Sequence, residues 1–142
     1  MIREFRIEET NEIMEIWKDS TIKAHKFIPE SYWLTNYSLV KEIYIPMSKT
    51  FVYIDKEKIK GFISIIDDTF IGAVFVDVKY QGQGVGTTLI NFAKNIYSKL
   101  NLAVYKENEK SVGFYKKSGF LIESEQINED TDKVEFIMSW SI

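Results

Sequence analysis

Three of the seven glycines in this sequence of 142 residues fall within five positions, Gly82, Gly84 and Gly86. They lie between a run rich in β-branched and aromatic residues, Phe70–Val78, and a segment with apolar residues at helical spacing. Glycine allows the backbone to adopt positive φ and to approach an anion closely, because no Cβ intervenes. The helix predicted after the loop begins with unpaired N–H groups and a positive dipole end. The segment therefore predicts a strand–loop–helix unit that binds a phosphate or pyrophosphate.

The spacing of this glycine loop excludes two common phosphate-binding motifs. A P-loop requires lysine and then serine or threonine directly after its last glycine, whereas Thr87 follows Gly86 and no lysine comes after it. The dinucleotide fingerprint requires a further glycine three residues after Gly84, and Thr87 occupies that position. The loop therefore belongs to neither class.

Composition and charge exclude several other classes of protein. The absence of cysteine excludes disulfides, thiol nucleophiles and thiolate metal sites. The single histidine, His25, excludes a histidine-rich metal site, so no metal is expected, although carboxylate sites remain open. A net charge of −3 is unusual for a protein that binds nucleic-acid phosphates, so no nucleic-acid partner is expected.

We expect neither an export signal nor a membrane-spanning segment in this sequence. Its first seven residues alternate apolar and charged side chains, unlike the continuous apolar core of a signal peptide. The longest apolar stretch, Phe70–Val76, is too short to cross a bilayer. We therefore expect a cytoplasmic protein without a membrane partner. The length and the lack of any linker-like segment predict a single domain, residues 1–142.

The periodicity of apolar residues predicts the order β-α-α-β-β-β-α-β-α-β-β. Thr10, Ser31, the glycine loop and Asn108 begin the predicted helices, and Pro46 ends the second one. The predicted strands are Ile2–Ile7, Phe51–Ile54, Ile59–Ile66, Phe70–Val78, Leu102–Tyr105, Phe120–Ile127 and Val134–Trp140. Such an order predicts an α+β or mixed α/β domain around one twisted sheet.

Two motifs resemble those of the GNAT superfamily of acyl-CoA N-acyltransferases. Gln81-x-x-Gly84-x-Gly86 is similar to the loop with which that family binds the pyrophosphate of acyl-CoA. Asn108-Glu-Lys-Ser-Val-Gly-Phe-Tyr-Lys-Lys-Ser-Gly-Phe120 resembles its second signature, an asparagine followed by Phe-Tyr-x-x-x-Gly-Phe. The order of elements is similar over the whole chain. Trp17–Ser20 and His25–Phe27 resemble the Trp-x-x-Ser…His-x-Phe segment of small bacterial members that consist of this domain alone.

The resemblance implies a mostly antiparallel, twisted sheet flanked by about four helices, with two central strands that splay apart around the acyl-CoA arm. Carried over to this sequence, Val76 and Val78, with Asp77 between them, offer backbone groups to the pantetheine amides and to the thioester carbonyl. Asn108 contacts the cofactor arm or caps its helix. The residues implied in pyrophosphate binding are Gln81, Gly82, Gln83, Gly84, Val85, Gly86 and Thr87.

The same resemblance makes Tyr115 the candidate general acid. The thiolate that leaves has a reference pKa of ~8.5 and a phenol one of ~10, so proton donation is uphill by about 2 kcal/mol. A modest local shift offsets that cost, and such an acid contributes typically 10²–10⁴-fold. The alternative is a core tyrosine that packs on its helix.

The general base remains open, because Gly72 stands where many GNAT members carry a glutamate. Trp17, Thr21 and His25 form a stripe at i, i+4 and i+8 on a helix that borders the acceptor site in the family. His25 is equally suited to a structural place at the helix C-terminus. The candidate bases are His25, Asp67 or Asp68 in the turn before Phe70, and an ordered water.

The implied activity is that of an N-acetyltransferase that uses acetyl-CoA and a primary amine of a small molecule, a peptide or a protein. The absence of cysteine favours direct transfer over a thioester acyl-enzyme. Gly72 suggests an alternative, an acyl-CoA-binding regulatory module without turnover. A toxin that acetylates charged tRNA is a third hypothesis, against which the acidic balance argues.

The acceptor amine is not identified by the sequence. Aromatic residues on the expected acceptor side predict a partly apolar pocket, with Trp17, Phe27 and Tyr32 as substrate-binding residues and Trp33 beside them. A homodimer is compatible with the sequence.

Overall fold

One sheet of seven strands organises the structure, a computed structural model that describes residues 1–142. The strands are β1 (Ile2–Glu4), β2 (Lys49–Asp55), β3 (Lys58–Ile66), β4 (Phe70–Val76), β5 (Lys99–Tyr105), β6 (Leu121–Ile127) and β7 (Val134–Ser141). They lie in the order β1-β2-β3-β4-β5-β7-β6. All neighbours are antiparallel except β4 and β5, which are parallel.

Four helices of nine residues or more accompany the sheet. They are α1 (Thr10–Ala24), α2 (Glu30–Leu39), which continues through a π-helical turn at Val40–Tyr44 into the short α3 (Ile45–Met47), then α4 (Val85–Ile96) and α5 (Glu109–Lys117). The predicted mixed α/β fold, mostly antiparallel and with about four helices, is confirmed. No helix combines the length and the apolar character that a membrane span requires.

Two apolar cores lie on opposite faces of the sheet, because β3 sends successive side chains to opposite sides. Ile63 and Ile65 pack against α4 and α5 in a core of 14 buried residues. Phe62 packs against α1 in a second core of eight buried residues. Burial of β3 on both faces explains why its sequence is almost continuously apolar.

The parallel strands β4 and β5 pair only at their beginning, where Phe70 lies opposite Asn101. A bulge in β4 accompanies this separation: Ser64 of β3 pairs with Ala73 and Ile65 pairs with Ile71, so Gly72 is the extra residue. A bulge bends its strand and increases its local twist. The predicted splaying of two central strands is thereby confirmed.

Several predicted boundaries are wrong at their ends. β4 stops at Val76, and Val78 lies in a 3-10 turn, Val78–Tyr80, because the Asp77 carboxylate accepts a hydrogen bond from the Lys79 N–H at 2.9 Å. β5 begins at Lys99, three residues before the predicted Leu102, because its seven residues pair with β7 from Ser141 back to Glu135.

Two predicted helix signals also differ from the structure. Thr10 is the first residue of α1 rather than its N-cap, because its hydroxyl donates to the Ile7 carbonyl at 2.6 Å. Ser31 lies inside α2, which begins at Glu30 after Pro29. The helical segment ends at Met47, one residue after Pro46, and Ser48 is extended, so the predicted end lies within one residue of the observed one.

Candidate active site

A cleft of about 1000 Å³ opens where β4 and β5 diverge. Residues of α1, β4, the glycine loop, β5 and the start of α5 line it. Alternation along β4 turns the N–H and C=O groups of Val74 and Val76 away from β3 and towards this opening. Because β5 diverges from β4 after the Phe70–Asn101 pair, these groups have no strand partner and are available to other hydrogen-bonding groups.

The glycine loop forms an anion cradle at one side of the cleft. Gly82 and Gly84 have φ of +80° and +85°, and no atom lies within 4 Å of the position that a Cβ would take on either. The first backbone hydrogen bond of α4 runs from the Thr88 N–H to the Gly84 carbonyl at 3.0 Å. The N–H groups of Val85, Gly86 and Thr87 therefore have no acceptor within the helix. Free N–H groups beside open space suit a phosphate.

At Gly86, the lack of a side chain serves helix packing rather than the loop conformation. A Cβ at this position would lie 3.3 Å from Cζ of Phe114, on α5. Gly86 thus allows α4 and α5 to approach closely, whereas Gly82 and Gly84 serve the conformation of the loop.

Gln81 anchors the loop to both neighbouring elements. Its side-chain amide donates to the Val76 carbonyl at 3.1 Å, and its Oε1 accepts from Lys23 Nζ at 3.2 Å. The Ser20 hydroxyl donates to the same Val76 carbonyl at 2.8 Å. The Val76 carbonyl is therefore already satisfied, and the N–H of Val76 is the group left for a ligand.

Tyr115 lines the cleft from α5, and its ring packs against Phe114 and Phe120. Burial raises the pKa of Tyr115 well above that of a free phenol. The phenol is therefore protonated at neutral pH and can donate a hydrogen bond. The direction of this shift is opposite to the one that would ease complete proton transfer to a thiolate.

Both ring nitrogens of His25 are engaged. Nδ1 lies 2.7 Å from the Thr21 carbonyl oxygen, which can only accept, so Nδ1 carries the proton. Nε2 lies 3.4 Å from Nδ2 of Asn108 and accepts from that amide. Burial lowers the pKa of His25 below its usual value, and the bond to Thr21 opposes this shift. His25 is therefore a neutral, hydrogen-bonded side chain that is only 8% exposed.

Aromatic rings surround His25 and form one wall of the cleft. This aromatic wall consists of Trp17, Phe27, Trp33 and Tyr105. The Trp33 and Tyr105 rings lie 4.9 Å and 5.3 Å from the His25 ring, and that of Phe27 lies 5.7 Å away. The indole N–H of Trp33 is the one buried side-chain polar atom without a hydrogen-bond partner. The wall is thus apolar with one unused donor.

Most residues implied by the resemblance line this one cleft: Trp17, His25, Phe27, Val76, Gln81, Gly82, Gly84, Val85, Gly86, Thr87, Asn108 and Tyr115. Four others lie outside its lining: Tyr32, Asp77, Val78 and Gln83. Tyr32 instead approaches Asp130 at 3.5 Å, and burial raises its pKa to about 12. Asn108 caps α5, since its Oδ1 accepts from the Ser111 N–H at 3.3 Å.

The candidate bases occupy different places. Gly72 lines the cleft with its backbone, whereas a Cβ at this position would lie 3.0 Å from Cδ1 of Ile66 on β3. Asp67 and Asp68 lie in the turn between β3 and β4, outside the lining. Sequence reasoning named Ser20 and Thr21 only within patterns of α1, and it missed Tyr105 as a cleft residue. Thr21 belongs to the stripe with Trp17 and His25, whereas no local signal identified Tyr105, which reaches the wall from a distant strand.

Comparisons with known proteins agree with this geometry. The acetyltransferase (GNAT) domain family matches residues 22–137. The peptidyl-lysine N-acetyltransferase YiaC of Escherichia coli K12 is 33% identical over the whole chain and 97% of its own length. The solution structure of apo YjaB from Escherichia coli, 28% identical, has a TM-score of 0.87 over 99% of this chain and 96% of that one.

A CoA-bound structure has the same fold. The PaiA N-acetyltransferase of Thermoplasma acidophilum in complex with coenzyme A has a TM-score of 0.84, at 21% identity, over 100% of this chain and 98% of that one. The chain therefore belongs to the GNAT acetyltransferase family and is an acetyl-CoA-dependent enzyme that transfers an acetyl group to an amine.

Proposed function

We propose that the enzyme acetylates the ε-amino group of lysine side chains in peptides or proteins. The observation that carries the proposal is the cleft, which brings the glycine loop, the free edge of β4 and Tyr115 together. Similarity along the full chain to YiaC, named a peptidyl-lysine N-acetyltransferase, supports lysine as the acceptor. A cleft open to solvent suits an acceptor that is part of a larger molecule.

Acetyl-CoA is held, in this proposal, by backbone groups more than by side chains. The N–H groups of Gly82–Thr87, including that of Gln83, bind the pyrophosphate, and the negative charge lies at the positive end of α4. The free edge of β4 at Val76 binds the pantetheine amides or the thioester carbonyl, with Asp77 and Val78 following it in the turn. Asn108 contacts the arm from the start of α5.

The transfer itself is a direct displacement in the complex of both substrates. The amine lone pair attacks the thioester carbonyl and a C–N bond forms; the nitrogen then loses a proton to water, and the C–S bond breaks with its electron pair leaving on sulfur. An N–H donor at the β4 edge stabilises the negative charge on the carbonyl oxygen. Tyr115 donates a hydrogen bond to the sulfur as it leaves, and the raised pKa of this phenol favours a hydrogen bond over early proton transfer.

A lysine ammonium must lose its proton before it attacks, since its reference pKa is ~10.4. Gly72 supplies no carboxylate at the cleft, and a base needs a free lone pair, whereas both nitrogens of His25 are engaged. Water in the open cleft is therefore the base that we propose. The hypothesis that His25 itself is the base stays a prediction.

The setting of the enzyme is also a proposal. We place it in the cytoplasm, where its co-substrate acetyl-CoA is available, with no nucleic-acid partner because of the net charge of −3. A homodimer stays a prediction, which sedimentation velocity at micromolar concentration tests.

Release of free CoA from acetyl-CoA measures turnover with little background, because the chain has no cysteine to react with a thiol reagent. The acceptors are peptides with a blocked N-terminus and one lysine, the same peptides with arginine instead, and spermidine. We expect CoA release and an acetyl mass increment only with the lysine peptides.

Two other outcomes would contradict parts of this proposal. Turnover with spermidine but with no lysine peptide or protein would overturn the choice of acceptor. Binding of acetyl-CoA without turnover on any amine would favour the regulatory module, the alternative that Gly72 suggests.

A further inference from the structure

A chain of three hydrogen bonds joins the end of α1 to the start of α5 through His25. The Thr21 carbonyl accepts from Nδ1, Nε2 accepts from Asn108, and the Asn108 Oδ1 accepts from the Ser111 N–H. His25 and Asn108 are both only 8% exposed, although they are 83 residues apart in sequence. The two groups thus meet in the interior, and both line the cleft.

We propose that His25 is a positioning residue, whose Nε2 holds the Asn108 side chain and the start of α5 in the arrangement that binds acetyl-CoA. This rests on the proposed function, because it assumes that the cleft binds acetyl-CoA with Asn108 against the arm. His25 touches no reacting atom in this proposal. It acts through Asn108, which both caps α5 and lines the cleft.

The orientation of the Asn108 amide is what this link determines. With Nδ2 turned towards Nε2, the amide oxygen is free to accept from Ser111 and to complete the cap. If the amide were reversed, two lone pairs would meet at His25 and two N–H donors would meet at Ser111. A neutral His25 with an unprotonated Nε2 therefore selects the orientation that caps α5.

The surroundings of His25 keep it neutral and rigid. The groups against its ring are Thr21 on α1, Phe27 after it, Trp33 on α2, Tyr105 on β5 and Asn108. Only Tyr105 among them titrates, and burial raises its pKa. Charged residues flank both partners in sequence: Lys26 follows His25, and Glu107 and Glu109 lie on either side of Asn108. None of them contributes to the shift in the pKa of His25, which is caused mainly by desolvation. The Thr21 carbonyl is the one group here that favours an imidazolium, and desolvation outweighs it.

Three variants separate this role from the others. His25→Phe keeps a packed ring but leaves the Asn108 Nδ2 without an acceptor, whereas His25→Gln offers an oxygen near the place of Nε2 and does not titrate. Ile45 lies in the core on the α1 side and does not line the cleft, so Ile45→Val and Ile45→Ala serve as stability controls. Calorimetry measures the Kd of CoA, and steady-state kinetics measures KM and kcat.

We expect His25→Phe to raise the Kd of CoA and the KM of acetyl-CoA about tenfold, with kcat within about threefold, since a buried donor loses its partner. His25→Gln restores both constants to within about threefold of wild type. Of the two Ile45 controls, the one whose melting temperature matches that of His25→Phe should bind CoA with the wild-type Kd. As pH decreases through the lowered pKa of His25, CoA affinity falls for wild type relative to His25→Gln, because protonated Nε2 becomes a donor facing a donor.

Unchanged CoA affinity in His25→Phe, or equal losses in His25→Phe and His25→Gln, would overturn the positioning role. Normal CoA affinity in both variants together with loss of kcat in both would assign His25 the role of base instead. If the wild type itself bound no CoA, the proposed function would fail rather than this inference.

Discussion

The glycine loop and the aromatic wall bound the same cleft but are constructed in opposite ways. The loop is one continuous segment, Gly82–Thr87, with two positive-φ glycines and open space around them. The wall collects rings from α1, the segment after it, α2 and β5, with centroids of neighbouring rings up to 6.4 Å apart. The loop therefore depends on local backbone conformation, whereas the wall depends on how distant elements pack.

This difference determines how each region responds to substitution. A change in the loop acts on backbone geometry and on space for a ligand, with little effect on the core. A change in the wall acts on packing around His25 and the second core, where Trp17 is only 6% exposed. The loop should accordingly control the affinity for CoA, and the wall the use of the acceptor.

The largest effect is expected from a residue that belongs to neither region. Tyr115→Phe removes only a hydroxyl, so kcat should decrease by about 10²-fold, while the Kd of CoA stays within a few-fold. Steady-state kinetics and calorimetry measure the two quantities. An unchanged kcat, with chemistry verified as the slow step in single-turnover experiments, would remove Tyr115 from the mechanism.

A smaller effect is expected from an alanine in the loop. Gly84→Ala places a Cβ on a residue with φ of +85°, which costs about 1–2 kcal/mol and shifts the cradle, so CoA affinity should fall about tenfold. Gly113→Ala is the matched control, because this glycine lies within α5 with no atom within 4 Å of its Cβ position. It should stabilise the protein by about 0.5–1 kcal/mol and leave CoA affinity unchanged. Equal affinities for both variants would contradict the loop assignment.

A substitution in the aromatic wall should affect the acceptor rather than CoA. Phe27→Ala removes a ring that lines the cleft, and we expect the KM for a lysine peptide to increase about fivefold. The Kd of CoA should change less than about twofold, because neither hydrogen bond of His25 involves Phe27. Kinetics at saturating acetyl-CoA measures this. An increase confined to the Kd of CoA would mean that the wall serves the co-substrate, and the division between the two regions would disappear.

The smallest effect concerns pH and stability. The pKa of His25 is lowered on folding, mainly by burial, so the unfolded chain binds more protons than the native one below about pH 6.5. The free energy of unfolding of wild type should therefore decrease more steeply than that of His25→Gln as pH falls from 7.5 to 5. Urea titrations at several pH values measure the difference. Parallel profiles would mean that burial of His25 does not persist in solution.

Much of the fold could be predicted because its signals are local. The glycine loop, the Asn108 cap and the end of α5 at Gly119, which has φ of +94°, depend on residues adjacent in sequence. The order of strands and helices follows from the same kind of pattern. Errors arose where a distant partner decided the boundary, as at β5, whose first residues are strand because β7 pairs with them.

The sequence by itself determined the strand–loop–helix unit, the position of Tyr115 on its helix and the absence of any thiol chemistry, because each depends on residue type and short-range spacing. Only the tertiary structure decided which groups His25 contacts. The stripe with Trp17 and Thr21 was visible, but the partner of Nε2 is 83 residues away. Whether a histidine is a free base or a buried, neutral hydrogen-bonding group depends on desolvation and on which donors surround it, and these are properties of the packed interior.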